Sequence, residues 1–335
     1  MKNFTYYRPT SAEQAVGMLD AKWGTTEMLA GGTDLLDLQK EYVAQPDKVV
    51  SLTGILSLGD VDMERDGAGG SVTIGAATTL SALADNDDFK KLFPALTDAA
   101  GQIGGPQIRN MGTLGGNLCQ RNRCWYFRDE HVNCLLKGGD KCFALDGENQ
   151  YHAIFTQAHP CVIVNPSTLA PALIALGASA NVLGPKGKRS IPLSQFFKAP
   201  KSAADREHVL AANELVMSVR IPIAGLKNAS YEVRHKQAYD WPLIQAAVAL
   251  EMKDNQVSKA TVVLGHVAPT PHVAEEAAKG LEGKEITEAM AAAAGAAASQ
   301  GAKPLAQNGY KVKLVEVAVK RALLTAAGQK KYWEA

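Results

Sequence analysis

Four cysteines, Cys124, Cys134, Cys142 and Cys161, fall within 38 residues, directly after the glycine-rich run Ile108-Arg-Asn-Met-Gly-Thr-Leu-Gly-Gly-Asn117. Thiolates are standard ligands of iron–sulfur clusters and of structural zinc, and four of them complete either site. A metal centre beside a phosphate-cradling loop is therefore the first reading. The separations of 10, 8 and 19 residues lack the paired C-x₂₋₄-C knuckles of zinc ribbons and also miss the usual ferredoxin runs. Spacing alone leaves cluster, zinc and plain buried thiols open. Arg121, Arg123, Arg128, Lys137 and Lys141 surround the cysteines, either as a cationic shell for a reduced cluster or as a solvated or partner-binding face. His131, His152 and His159 read as solvated loop histidines, with a mixed metal site as the sharper alternative.

Two glycine runs carry the second signal. Ala30-Gly-Gly-Thr-Asp34 sits between a strand-like Glu27 to Ala30 and a helix start at Leu35. Such a turn aims backbone N–H groups at an anion, although a lone glycine pair is also an ordinary turn. Gly112-Thr-Leu-Gly-Gly-Asn117 supplies more glycine, hydroxyl and amide than a turn needs. Two such loops could grip one dinucleotide. Neither has the G-x-G-x-x-G order that opens a Rossmann helix, so a different nucleotide fold is required.

The chain has 335 residues and a formal net charge of +1. It can bury a full core, and its charge points to neither nucleic acid nor an anionic membrane. The N-terminus lacks the pattern of a secretory signal, so the chain is expected to be mature from its first residue. The longest uncharged apolar stretch, Leu169 to Gly184, is shorter than the ~20 residues a bilayer needs, and no membrane span is expected. A capping box at Ser11 predicts a first helix, and Val49 to Leu52 and Val72 to Gly75 predict strands, the latter entering a helix capped by Thr79. Val162 to Val164, Ala180 to Leu183 and Glu214 to Ile223 are read as strands, and Thr168 to Leu176 as a helix. Near residue 225 the pattern changes to an antiparallel hairpin, Ala247 to Met252 with Ala260 to Leu264. Helices over Ala274 to Leu281, Met290 to Ala298 and Val312 to Ala326 follow.

Taken together, Met28-Leu-Ala-Gly-Gly-Thr-Asp-Leu-Leu36, Ile74-Gly-Ala-Ala-Thr-Thr79, Ile108 to Asn117, Pro166-Ser-Thr-Leu-Ala-Pro-Ala-Leu173 and Val267-Ala-Pro-Thr-Pro271 resemble the FAD-binding subunit of molybdenum hydroxylases, the xanthine dehydrogenase family. The motifs occur in the family's order and span nearly the whole chain. The resemblance implies an α+β architecture with an FAD-binding fold of the vanillyl-alcohol oxidase type in two subdomains, 1–60 and 61–224. A C-terminal flavoprotein domain of antiparallel sheet plus helices would span 225–335. It also implies that Met28, Leu29, Ala30, Gly31, Gly32, Thr33, Asp34, Leu35, Leu36 and Thr113 wrap the FAD pyrophosphate, with Gly116 and Asn117 close by. Thr168 stands where many relatives carry aspartate, and Glu214 matches an acidic family position. Glu232 stands where many carry lysine, so no lysine contact is expected there. Tyr239 and Trp241 are candidates to stack near the isoalloxazine, although strand aromatics are more often core.

The cysteine segment, about residues 119–161, resembles an insertion in two branches, the flavin subunits of periplasmic aldehyde oxidoreductase and of 4-hydroxybenzoyl-CoA reductase. Its wording is closer to the former. There the insertion carries a [4Fe-4S] cluster, which implies Cys124, Cys134, Cys142 and Cys161 as ligands and Cys119 as a spare thiol. The implied activity is relay. A molybdenum-cofactor subunit oxidises the substrate, a [2Fe-2S] subunit passes electrons on, and FAD here discharges them to an external acceptor within an αβγ heterotrimer. No catalytic acid or base is expected in this chain. Its location would be the cytoplasm, or the periplasm by co-export with a signal-bearing partner. The rival readings are a self-contained flavin oxidase or reductase of the same superfamily and, from another class, a zinc-stabilised interaction module.

Overall fold

The computed structural model describes residues 1–66, 69–329 and 333. Near the N-terminus, β1 (Thr5–Tyr7), β2 (Thr26–Leu29) and β3 (Lys48–Ser51) form a small parallel sheet ordered β1-β3-β2. Helix Ala12–Met18 returns the chain between β1 and β2, and Ser11 caps it by accepting the Gln14 N–H. The predicted strand and helix around the first glycine turn are both present, as β2 and helix Leu35–Lys40.

A second sheet contains β4 (Val61–Asp66), β5 (Gly69–Gly75), β6 (Ser179–Gly184), β7 (Gly187–Pro192) and β8 (Leu215–Pro222), ordered β4-β5-β8-β6-β7 with every pair antiparallel. Val72, Ile74, Ala180, Val182, Val219 and Ile221 alternate inward from it and meet helices Leu80–Asp85, Pro94–Gln102 and Leu169–Ala175 in one core. The second glycine run is not a loop. Thr113 accepts the Gly116 N–H at 3.1 Å and caps helix Leu114–Cys119, so the glycines form that helix's first turn.

The third sheet is antiparallel, with β9 (Lys227–Val233), β10 (Ile244–Lys253), β11 (Gln256–Gly265) and β12 (His272–Val273) in the order β12-β11-β10-β9. The β10–β11 hairpin turns on Asp254 and Asn255, both with positive φ, as a tight two-residue turn requires. On β10, Ala247 and Ala249 face the first core. Ile244, Ala246, Val248 and Leu250 face a second core closed by helices Glu288–Ala298 and Tyr310–Ala326. One strand thus packs on two layers, small residues to one side and large to the other. Val162 to Val164, expected as a strand, joins no ladder among the described residues. It runs past the cysteine segment, where single bonds such as Ala153 N–H to the Val162 carbonyl hold it in place of a neighbouring strand. No helix among the described residues is long and apolar enough to cross a membrane.

Candidate functional site

The two glycine runs meet. A Cβ on Gly31 would stand 1.7 Å from the Met111 carbonyl oxygen, so only glycine lets the first turn touch the residue before Gly112. Gly32 has φ +76°, which turns the chain into helix Leu35–Lys40. A cavity opens there, lined by residues 28–35, by Thr113 and Gly116, and by Leu215 and Val216 of β8. Leu36 stands just outside it and is exposed. Cations face the turn: Arg121 lines the cavity with a buried Nη2 that has no hydrogen-bond partner, and Arg206 stacks over Trp23 at 4.6 Å. Free backbone N–H groups beside an unsatisfied guanidinium suit a pyrophosphate.

A second cavity adjoins the first and shares Thr33, Asp34, Thr113, Gly116 and Gln120 with it. Asn117 and Thr168 lie here, with Tyr239 and Trp241 on the far wall. The Asn117 side-chain carbonyl accepts from Ser167 Oγ at 2.7 Å, and the Thr168 main-chain carbonyl accepts from Gln245 Nε2 at 2.9 Å, which ties the corner to β10. Tyr239 and Trp241 are neither strand nor core. They sit on the loop between β9 and β10, 63% and 46% exposed.

Glu214 is not brought to either cavity. Its carboxylate pairs with Arg189 at 2.7 Å and accepts the Ala211 N–H, which fixes the entry into β8. Glu232 is fully enclosed opposite Gln245, and neither carboxylate oxygen has a hydrogen-bond partner. Burial pushes its carboxyl up to about 8, against the pull of Arg234 at 3.9 Å. It therefore holds its proton near neutral pH.

Asp34 is a joint. Its Oδ1 takes Arg128 Nη2 at 2.7 Å and Arg123 Nη2 at 3.0 Å, its Oδ2 takes the Arg121 N–H at 2.8 Å, and Arg128 also reaches Asp37 at 2.9 Å. Burial would raise the Asp34 carboxyl, but the Arg123 and Arg128 guanidiniums hold it below the usual carboxylate range. Arg123 and Arg128 are therefore paired to carboxylates, and Arg121 meets the buried Glu207 through Nε at 2.8 Å while its Nη2 stays free.

The four cysteines gather beyond Arg123. Cys134 and Cys161 are buried in one cluster with Leu38, Phe127, Leu136 and Ile163, Cys124 packs against it, and Cys142 lies close enough to Cys161 for the two thiols to perturb each other. Burial pushes the Cys124 thiol up to about 12, whereas the hydrogen bond from Cys161 draws Cys142 down to about 6. Cys161 is pushed up by that same bond and by burial. A buried thiol set of this kind becomes thiolate when a cation compensates the charge. Cys119 lies apart, lining the first cavity, its thiol pushed up to about 12 by burial alone. Among the described residues, no three His, Cys, Asp or Glu side chains close around a single metal ion. His131 is exposed as expected, but His152 is buried, with Nε2 3.1 Å from Cys124 Sγ. Sequence reading also missed Trp23, Arg206, Glu207 and His208. The run Asp205-Arg206-Glu207-His208 was the available signal, four consecutive ionisable residues in a loop.

A mixed helix-and-sheet chain with paired glycine turns at a continuous cleft defines a flavoprotein class, and the comparisons agree. The family described as "FAD binding domain in molybdopterin dehydrogenase" matches residues 2–224, and the "CO dehydrogenase flavoprotein C-terminal domain" matches residues 229–326. The chain belongs to the FAD-binding subunits of the molybdenum hydroxylase family. It is 31% identical to the aldehyde oxidoreductase FAD-binding subunit PaoB of Escherichia coli K12, over 98% of this chain and 100% of that one. It is 30% identical to the carbon monoxide dehydrogenase medium chain of Hydrogenophaga pseudoflava, over 96% of each. A solved carbon monoxide dehydrogenase from Hydrogenophaga pseudoflava superposes with a TM-score of 0.74 at 27% identity, covering 97% of both chains.

Proposed function

We propose that this chain is the FAD- and [4Fe-4S]-containing electron-transfer subunit of an aldehyde oxidoreductase-type molybdenum hydroxylase complex. It takes electrons that originate at a molybdenum-cofactor subunit and arrive through a [2Fe-2S] subunit, and it passes them to an external acceptor. The observation that carries this is adjacency. Arg123 walls the second cavity and binds Asp34 of the first, and the next residue, Cys124, belongs to the thiol group. Flavin suits such a post because it accepts electrons singly and releases them in pairs.

In this reading residues 28–36 wrap the pyrophosphate, with N–H groups of the glycine turn, Arg121 and the Thr113 hydroxyl as donors, while the Leu36 N–H stays on the Gly32 carbonyl. Asn117 and Thr168 border the ring, and Glu214 supports the wall by fixing Leu215 and Val216. The two-subdomain FAD-binding fold of the vanillyl-alcohol oxidase type is the corresponding architecture. Cys124, Cys134, Cys142 and Cys161 each give one thiolate to the cluster. A thiol group too open for one ion is compatible with a cluster that presents a separate iron to each ligand.

Anaerobically purified protein should show flavin bands on a broad iron–sulfur background, with about four iron atoms per chain. Cys134→Ser should lose most of that iron and keep the flavin bands, while Cys119→Ser should keep both. Unchanged iron in Cys134→Ser would defeat the ligand assignment, and a colourless protein would sink the whole reading.

A further inference from the structure

We propose that a third cavity, between the cysteine segment and the loop joining β9 and β10, binds a flat, uncharged aromatic electron acceptor of the quinone class. The inference rests on the adjoining cavity being the flavin site, and it supplies that site with an acceptor. The cavity holds about 210 Å³, room for one or two fused rings and too little for a dinucleotide. Its walls combine aromatic and apolar residues, Trp125, Tyr151 and Trp241 with Pro242 and Leu243, with ionisable ones and with Cys124 of the thiol group, and Tyr151 and Trp241 are 41% and 46% exposed, which leaves a mouth to solvent. Such walls favour a planar ring.

Its formal charges are largely paired: Arg123 binds Asp34 at 3.0 Å, and Asp240 accepts the N–H groups of His235, Lys236 and Trp241 at 3.0 to 3.1 Å. The Arg123 Nε is the one guanidinium nitrogen among them without a partner, a poor match to the two phosphates of a nicotinamide dinucleotide. A second polar atom waits: His152 is 4% exposed, lines the cavity and has no partner at Nδ1. A ring carbonyl or hydroxyl would satisfy it. Arg123, Asp240, Trp241 and Pro242 belong to both this cavity and the second one, so an occupant would sit across a single layer of side chains from the flavin. The step balances. Quinone takes two electrons and two protons to become hydroquinone, which reduced FAD, if bound in the adjoining cavity, would supply in returning to oxidised FAD.

The test is equilibrium dialysis of the full chain against menadione, with the flavin spectrum recorded on the same samples. One menadione should bind per chain. Val164→Phe, which fills the cavity, should weaken binding at least tenfold with flavin bands unchanged, and flavin reoxidation by menadione should saturate in the wild type but not in the variant. Tyr151→Ala, at a half-exposed ring that leaves the core intact, should weaken binding severalfold. Absence of saturable binding, or binding indifferent to both substitutions, overturns the proposal while flavin bands keep the functional reading alive. Menadione bound to a chain without flavin would instead sink the functional reading and leave the cavity assignment standing.

Discussion

Gly31 shows how little separates a working turn from a broken one. A methyl group there would overlap the Met111 carbonyl, so the two glycine runs would have to part by more than side chains can absorb. Gly31→Ala should destabilise the chain by about 1–3 kcal/mol and lower the flavin-to-protein ratio, read from thermal unfolding and visible absorbance. This residue was legible in the sequence because a second glycine run, Gly112 to Asn117, stands with it, whereas a glycine pair alone is an ordinary turn. The caps Ser11 and Thr79 were legible as well, since their bonds close within three residues. Arg206 and His208 were not. They reach the first cavity from a loop nearly 180 residues beyond Glu27, whose carboxylate Arg206 meets at 3.4 Å, and no local pattern records such a distance. His152 was misjudged similarly, since burial is decided by what packs over a loop.

Among the elements, helix Leu35–Lys40 does more than follow a turn. Asp34 and Asp37 at its start hold Arg123 and Arg128, so the helix fastens the cysteine segment to the small parallel sheet. Asp34→Asn leaves two largely enclosed guanidiniums underpaired and should cost about 3 kcal/mol at pH 7. Because the folded Asp34 value lies below its ordinary 3.8, its contribution is present above that value and fades as pH falls through the folded one. Urea unfolding of wild type and variant should therefore converge as the pH is taken below 3.8. The strands at Val49, Val72, Ala180 and Glu214 and the long C-terminal helices announce themselves by β-branched runs or by period. Helix Pro94–Gln102 does not, because Ala95, Leu96, Thr97, Ala99 and Ala100 are buried around most of its circumference. Val162 to Val164 has strand composition, yet it pairs with no strand among the described residues.

For the molecule as a whole, Lys311 joins three regions. Its buried Nζ donates to the carbonyls of Tyr151 and His266 at 2.9 Å and of His152 at 3.2 Å, pinning the last long helix to the cysteine segment and to the end of β11. Burial pushes its ammonium down to about 7 from 10.5. Between those values the unfolded chain carries one proton more than the folded chain, so this group makes stability rise with pH across that window. Lys311→Met should flatten the rise in denaturant titrations from pH 7 to 10, and the slope rather than the absolute stability is the readout. The Asp34 joint has a further meaning for biogenesis. Any guest that orders residues 121–128 also tightens the glycine turn, and any guest seated on the turn returns the favour by the same factor, since coupling between two sites is reciprocal. Under the proposed function, a chain loaded with flavin would bind its cluster more tightly and the reverse, so a half-loaded chain would be the less stable form.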